Sequence, residues 1–344
     1  MRQARGAVEL LAPVLLVVVV ALFGTTVSTS TQTYVITTLV NVAIVVALYV
    51  FIGNSGVLSF GHISFVAVGA WAAGVLSMPV AEKPAIMPNL AGFLRQTTVG
   101  NVQSLAIAAG IGAAFALVVG LPLMRLSGLA AGIATFGVLE ITHNVLRYWE
   151  KIGPGLNTFS AVPETTGLGQ AAVGALIAVA VAFVYQRSRY GRMLRATRED
   201  AAAARAVGVS VYGQRLIAFA LSGGLAGLAG GLYVHLLPVN TEVLYLDLTF
   251  ITLAMLVIGG ATSLWGAVVG AVAISAVDSF LAEAENGVHI FGGTLDLPSG
   301  TLAMSTPPPS SSCSSSKRRM MCRLYVASSA SMRIREGRTA LIAR

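Results

Sequence analysis

The chain has 344 residues, of which 56% are hydrophobic and only 10% charged, with a mean hydropathy of +0.80. A soluble domain carries about 25% charged residues, so this composition excludes an ordinary water-exposed globule and points to a polytopic membrane protein. The formal net charge of +8 does not indicate nucleic-acid binding, because residues 1–296 hold 14 basic and 13 acidic side chains while residues 297–344 hold eight and one.

The apolar runs are continuous and rich in Ala, Gly, Leu and Val, whereas barrel strands alternate apolar and polar over ~10 residues. The expected fold is therefore all-α, a transmembrane helical bundle of about 8–10 spans that includes Gly-rich broken or re-entrant segments. In chain order the apolar segments are Ala7–Phe23, Tyr34–Ile52, Val57–Ser77, Val102–Met124, Gly128–Tyr148, Gly167–Tyr185, Leu216–Leu237, Leu248–Gly259 and Leu264–Leu281. The first follows Arg2 and Arg5. It is longer than a usual signal-peptide core, and Ser28, Thr29 and Ser30 offer no A-x-A cleavage site, so an uncleaved first span is expected.

Between Gln186 and Arg215 lie Arg187, Arg189, Arg192, Arg195, Arg198, Arg205 and Arg215, opposed only by Glu199 and Asp200. Short Arg-rich loops stay on the cytoplasmic side. Counting crossings from a cytoplasmic N-terminus puts Arg125 and this loop inside without adjustment. Within it, Arg198–Gly208 reads as a short helix. Alanine favours helix, Glu199 and Asp200 suit the first turn and Arg205 the last, and Gly208 is placed to end it. One reading is a solvated spacer between spans; the other is a grip for a cytoplasmic partner.

Two Gly/Ser-rich segments interrupt the apolar pattern. One holds Asn54, Ser55, Gly56, Ser59, Gly61 and His62; the other holds Gly259, Gly260 and Ser263. Non-helical backbone at membrane depth needs protein or water around it. Such breaks either line a substrate path or form tight turns between packed helices. Gly223, Gly227 and Gly231 recur every four residues, as do Gly266 and Gly270. This spacing lets helices approach closely and is compatible with a subunit interface.

No catalytic or metal pattern appears. The histidines His62, His143, His235 and His289 fit no ligand motif, and Cys313 and Cys322 both lie near the C-terminus. There is no phosphate-binding G-x-x-x-x-G-K-[ST] loop, so no cofactor is expected on this chain, and an ATP-driven cycle needs a partner subunit. The candidate buried polar groups are Glu140, His143 and Asn144, on one helical face, and Asp278 in the last span. Arg147 is placed to pair with Glu140 or His143. Ionisable groups within spans are functional candidates, because their burial is costly.

The domain reading is a transmembrane domain over 1–297, with a cytoplasmic loop at 186–215, and a Ser/Pro-rich basic tail over 298–344. Such a tail cannot bury enough apolar surface to fold alone. It is read either as a frameshift product or as a genuine variant.

Four segments resemble one family. GRMLRATREDAAAARAVGVSVYGQRLIAFALSGGLAGLAGGLYVH is similar to the cytoplasmic loop and following span of branched-chain amino acid ABC transporter permeases, of the M type. GNSGVLSFGHISFVAVGAW resembles their early Gly-rich segment, LSGLAAGIATFGVLEITHNVLRYWE their span with an internal Glu, and GGATSLWGAVVGA their late Gly-rich motif. The match runs in order over roughly residues 30–285. The resemblance implies a bacterial inner-membrane subunit that pairs with a second permease. It also implies cytoplasmic ATPase subunits carrying the ATP and a periplasmic solute-binding protein. The ATPase would dock on a coupling loop from Arg198 to Gly208, with Glu199, Asp200, Ala201 and Gly208 at the family's matching positions and Arg205 within it. The implied cargo is a branched-chain amino acid or a related amino acid, amide or urea. Rival readings are a secondary transporter or channel working alone, and a membrane scaffold.

Overall fold

The computed structural model describes residues 2–155, 157–285, 288–290 and 293–295. The tail expected at 298–344, and with it the frameshift reading, lies outside these residues. The following concerns the compact unit Met1–Ser299.

The chain order is α1 (Arg2–Thr26), α2 (Thr29–Ser55), α3 (His62–Ser77), α4 (Lys83–Ile86), α5 (Gly92–Gln96), α6 (Asn101–Leu123), α7 (Leu129–Tyr148), α8 (Leu168–Arg187), α9 (Arg189–Glu199), α10 (Ala201–Ala206), α11 (Val211–Val234), α12 (Leu246–Gly259) and α13 (Leu264–Glu285). A short antiparallel pair follows, β1 (Val288–Ile290) with β2 (Gly293–Leu295). Each apolar segment read from the sequence is largely helical, except that residues 57–61 of Val57–Ser77 are irregular and Leu216–Leu237 outruns its helix at the C-terminal end. Among the described residues, α2, α6, α7, α8, α11 and α13 are long and apolar enough to cross a membrane, while α1, α3 and α12 contribute shorter apolar stretches. The molecule is a polytopic helical bundle.

The second helix occupies the centre. Leu39, Val40, Val42, Ala43, Ile44, Val45 and Val46 are fully buried, and α1, α8, α11, α12 and α13 pack around α2. A helix that is apolar on every face has no polar side to turn outward, so it takes the middle. Side-chain hydrogen bonds fix its neighbours: Ser222 Oγ donates to Ala47 O at 2.6 Å, and Asn41 Nδ2 to Ser275 Oγ at 3.2 Å.

The glycine spacing is used inside the chain. Helix α11 is wedged between α6 and α3. A β-carbon on Gly223 would lie 2.2 Å from Ala116 Cβ, and one on Gly230 2.0 Å from Val66 O. The turn between α12 and α13 is equally tight, with a β-carbon on Gly270 placed 2.0 Å from Met255 O. These glycines are committed to packing within the bundle and are not free to serve a subunit interface.

The bundle has two chemically distinct ends. At one, Arg215 Nη1 donates to Leu126 O at 3.2 Å, Tyr212 OH to Leu121 O at 3.0 Å, and Arg198 Nη1 to Gly53 O at 2.7 Å. This end carries Arg125 and the seven arginines read from the sequence. At the other end, Phe159 bridges to Val239, Thr166 N donates to His235 O at 3.2 Å, and Ala91 N to Lys151 O at 3.1 Å. There Lys83 is fully buried, donating to Leu94 O at 2.9 Å and Thr97 O at 2.5 Å. That burial pushes its ammonium below the ordinary lysine range.

Candidate functional site

The arginine-rich segment folds as an elbow of two helices. Ser188 caps α9, its Oγ accepting from Gly191 N at 3.2 Å. One face of α9 faces inward, with Gly191, Leu194 and Thr197 buried. Arg198 and Glu199 end this helix, where the sequence reading had placed them at the start of the next. Asp200 is the shared joint. Its backbone N–H closes the last turn of α9, donating to Ala196 O at 3.1 Å, and its carboxylate caps α10, accepting from Ala202 N at 2.8 Å and Ala203 N at 3.0 Å.

The N–H groups of Ala203 and Ala202 hold the Asp200 carboxyl below the usual carboxylate range. A depressed carboxylate contributes its stability above that range and loses it as pH falls through the lowered value, so the cap is intact at neutral pH. Gly208 ends the elbow with φ +84°, a left-handed conformation that favours glycine. Its N–H donates to Arg205 O at 3.0 Å, and Val209 N to Ala204 O at 3.0 Å. Ala201 opens α10, and Arg205 Nε donates back to Ala201 O at 3.0 Å.

The Gly-rich breaks are packed next to this elbow. Helix α2 ends through Gly56, whose φ is +69° and whose N–H donates to Ile52 O. Asn54, Ser55, Ser59 and His62 are all buried. Asn54 Nδ2 donates to Val50 O at 3.0 Å, and Ser59 Oγ meets His62 Nδ1 at 2.8 Å. The His62 ring sits among Phe51, Phe65 and Phe219, with ring centroids 5.3–5.5 Å away. The segment 56–61 is irregular and partly enclosed, with Val57, Ser59 and Gly61 buried and Gly56 and Leu58 exposed. Phe60 N donates to Thr135 Oγ1 at 3.1 Å, and a β-carbon on Gly61 would lie 2.3 Å from Thr135 O. Protein therefore meets part of its polar groups, as non-helical backbone inside a bundle requires, while Asn54 Oδ1 and His62 Nε2 are buried without a hydrogen-bond partner among the described residues. The segment also supplies depth that α3 lacks, since 16 residues span only about 24 Å of a ~30 Å core. The second break is a tight turn: Gly260 has φ +102°, and Ser263 Oγ accepts from Gly266 N at 2.9 Å.

The polar groups of α7 depart from the sequence reading. His143 is buried, but Glu140 is only half-buried, Asn144 is exposed, and Asp278 is exposed on α13. The cause is sparse packing. Helix α7 gives α3 and α6 the face holding Ala131, Thr135, Leu139, Thr142 and Leu146, and Glu140 and Asn144 lie on its flank. Among the residues of α13 whose burial is described, Ser275 is the last that is buried, and Asp278 is exposed.

Pairing differs too. Arg147 Nη1 bonds Glu242 Oε1 at 2.6 Å and engages neither Glu140 nor His143. Glu140 accepts from Asn144 Nδ2 at 2.7 Å and from the Tyr245 hydroxyl. His143 stacks on the Tyr245 ring with centroids 4.0 Å apart. Tyr245 and Glu242 were not foreseen, because the loop that carries them has no helical register with α7. An apolar groove of about 440 Å³ between α3, α6 and α7, lined by Trp71, Phe115 and Thr142 among others, lies at this end and not at the breaks. Among the described residues, no group of three or more His, Cys, Asp or Glu is placed to hold a metal ion.

Residues 30–294 match the family model described as "Branched-chain amino acid transport system / permease component". The chain belongs to this family. It is 26% identical over 311 residues to the high-affinity branched-chain amino acid transport system permease protein LivM of Salmonella typhimurium, covering 78% of this chain and 69% of that one. LivM of Escherichia coli matches to the same extent. The autoinducer 2 import system permease protein LsrC of Salmonella paratyphi B is 29% identical over 165 residues, covering 43% of this chain and 46% of its own. No solved structure matches. The permease is thus a membrane transport component of a family that does not consist of enzymes.

Proposed function

We propose that this permease is the membrane-spanning subunit of an ABC importer for branched-chain amino acids or closely related amino acids, amides or urea. A periplasmic binding protein delivers the solute, and a second permease subunit completes the path. Separate ATPase subunits bind the ATP and dock on the α9–α10 elbow, so this chain binds no cofactor itself. The observation that carries the reading is the elbow. A six-residue helix capped by Asp200 and closed by a left-handed Gly208 follows the arginine-rich α9, whose Arg198 bonds Gly53 O beside the first Gly-rich break. The LivM relatives, aligned over most of both chains, favour branched-chain cargo over the cargo named for LsrC. The breaks at 54–62 and 259–263 then line the cytoplasmic end of the path.

The elbow end faces the cytoplasm of a bacterial inner membrane, with the N-terminus on the same side. A reporter fused after Arg198 is expected to read cytoplasmic and one after Gly155 external; reversed readings at both sites would overturn this orientation. For function, the purified complex in proteoliposomes is expected to accumulate labelled leucine only with ATP and binding protein present. Accumulation by this chain alone, driven by an ion gradient, would instead establish a secondary transporter.

A further inference from the structure

Two of the elbow's arginines turn back into the bundle, and both lead to α2. Arg198 Nη1 donates to Gly53 O at 2.7 Å. Arg195 Nη2 donates to Gln186 O at 2.5 Å, and the buried Gln186 side chain accepts from Tyr49 OH at 2.9 Å. Tyr49 and Gly53 stand one turn apart on α2. The physical reason for the pairing is the same at both points. Gly53 and Gln186 lie in the last turns of α2 and α8, where carbonyls lack intrahelical donors and the helix dipole is negative. A guanidinium answers both needs with a charge-assisted hydrogen bond.

The junction has no slack. A β-carbon on Gly56 would lie 2.8 Å from Arg198 Cγ, and one on Gly53 2.7 Å from Ala261 O in the α12–α13 turn. The elbow, the end of the central helix and the second Gly-rich break therefore meet at one point.

We propose that Arg198, seconded by Arg195 through Gln186 and Tyr49, is the positioning residue that ties the elbow to α2, so that a shift of the elbow carries the end of α2 and the α12–α13 turn with it. This rests on reading the elbow as the ATPase dock. Arg198 acts on the inner side of that dock and is not part of the surface the ATPase grips. Because α2 bonds α11 through Ala47 and α13 through Asn41, movement of its end reaches both sides of the bundle.

The test uses the full complex in proteoliposomes and reads three quantities: ATPase subunits retained on purification, ATP hydrolysed without solute, and leucine transported per ATP. Arg198→Ala is expected to lower the third by about tenfold, the scale of one lost charged hydrogen bond, and to lower the first two by much less. Arg198→Lys, whose ammonium still reaches one carbonyl, is expected to restore at least about a third of it. Tyr49→Phe removes one hydroxyl without a charge and is expected to lower transport per ATP by about threefold. It carries the test by itself if Arg198→Ala does not accumulate. Normal transport per ATP in the Arg198→Ala/Tyr49→Phe double variant would overturn the tie. So would loss of ATPase retention in Arg198→Ala, which would make Arg198 a docking residue. Loss of ATPase dependence in the unmodified complex would instead count against the importer reading itself.

Discussion

Gly227→Ala is expected to prevent stable accumulation of the permease in the membrane. The added β-carbon would sit 2.4 Å from Ala108 O and 3.1 Å from Gly112 Cα. On the other side, Gly69 already lies so close that its own β-carbon would meet Gly227 O at 2.3 Å. Helix α11 is thus held between two backbones, neither of which yields as a flexible side chain would. Overpacking of this kind costs about 1–3 kcal/mol and more where backbone must move. A cost of one or two kcal/mol lowers the folded-to-unfolded ratio by about 5–30-fold. Gly110→Ala provides the contrast, because nothing lies within 4 Å of a β-carbon there. Alanine in a helix is better than glycine by about 0.8–1 kcal/mol, so that variant is expected to be neutral or slightly more stable. Monodisperse yield and Tm in detergent decide the matter. Equal stability of Gly227→Ala and wild type would mean that the α3–α11–α6 packing is wrong.

The sequence shows which residues are apolar and where the pattern breaks, and it shows much less about which residues meet. The apolar segments, the two Gly/Ser-rich interruptions and the short helix closed by Gly208 were legible, because each depends on local composition and on the special backbone freedom of Gly56, Gly208 and Gly260; the joint at Asp200 was not, since the reading ran one helix through it. The central place of α2 was not read from the sequence, although a run with no polar face carries that signal. Partners distant in the chain were not legible. Glu140 and Tyr245 are 105 residues apart, and Arg198 and Gly53 are 145 apart, so no periodicity links them. The glycine spacing on α11 announced a close approach but not its object, which proved to be α6 and α3 of the same chain. The face that α7 exposes was illegible for the same reason: whether Asn144 and Asp278 are covered depends on which helices stand beside them.

Asp200→Arg and Gly208→Pro are each expected to uncouple the permease from its motor while leaving it inserted. Asp200→Arg removes the oxygen that accepts from Ala202 N and Ala203 N and puts a cation at the positive end of α10. Losing such a cap costs about 1 kcal/mol, and the charge now opposes the dipole. Gly208→Pro asks a ring fixed near φ −65° to adopt a backbone at +84° and deletes the N–H that bonds Arg205 O. A six-residue helix is too short to form without its end contacts, so both variants dismantle the shape that the ATPase would grip. Neither site lies in the packed bundle, and membrane levels are expected to stay within about twofold of wild type, as for surface changes generally.

The most direct measurement is leucine-stimulated ATP hydrolysis by the purified complex carrying either variant, read beside the amount of ATPase subunit that co-purifies. Stimulation and co-purification are both expected to fall below about a tenth of wild type, as a docking helix that no longer forms requires. Retention of both in Asp200→Arg and Gly208→Pro would contradict the assignment of the elbow as the site through which this permease is driven.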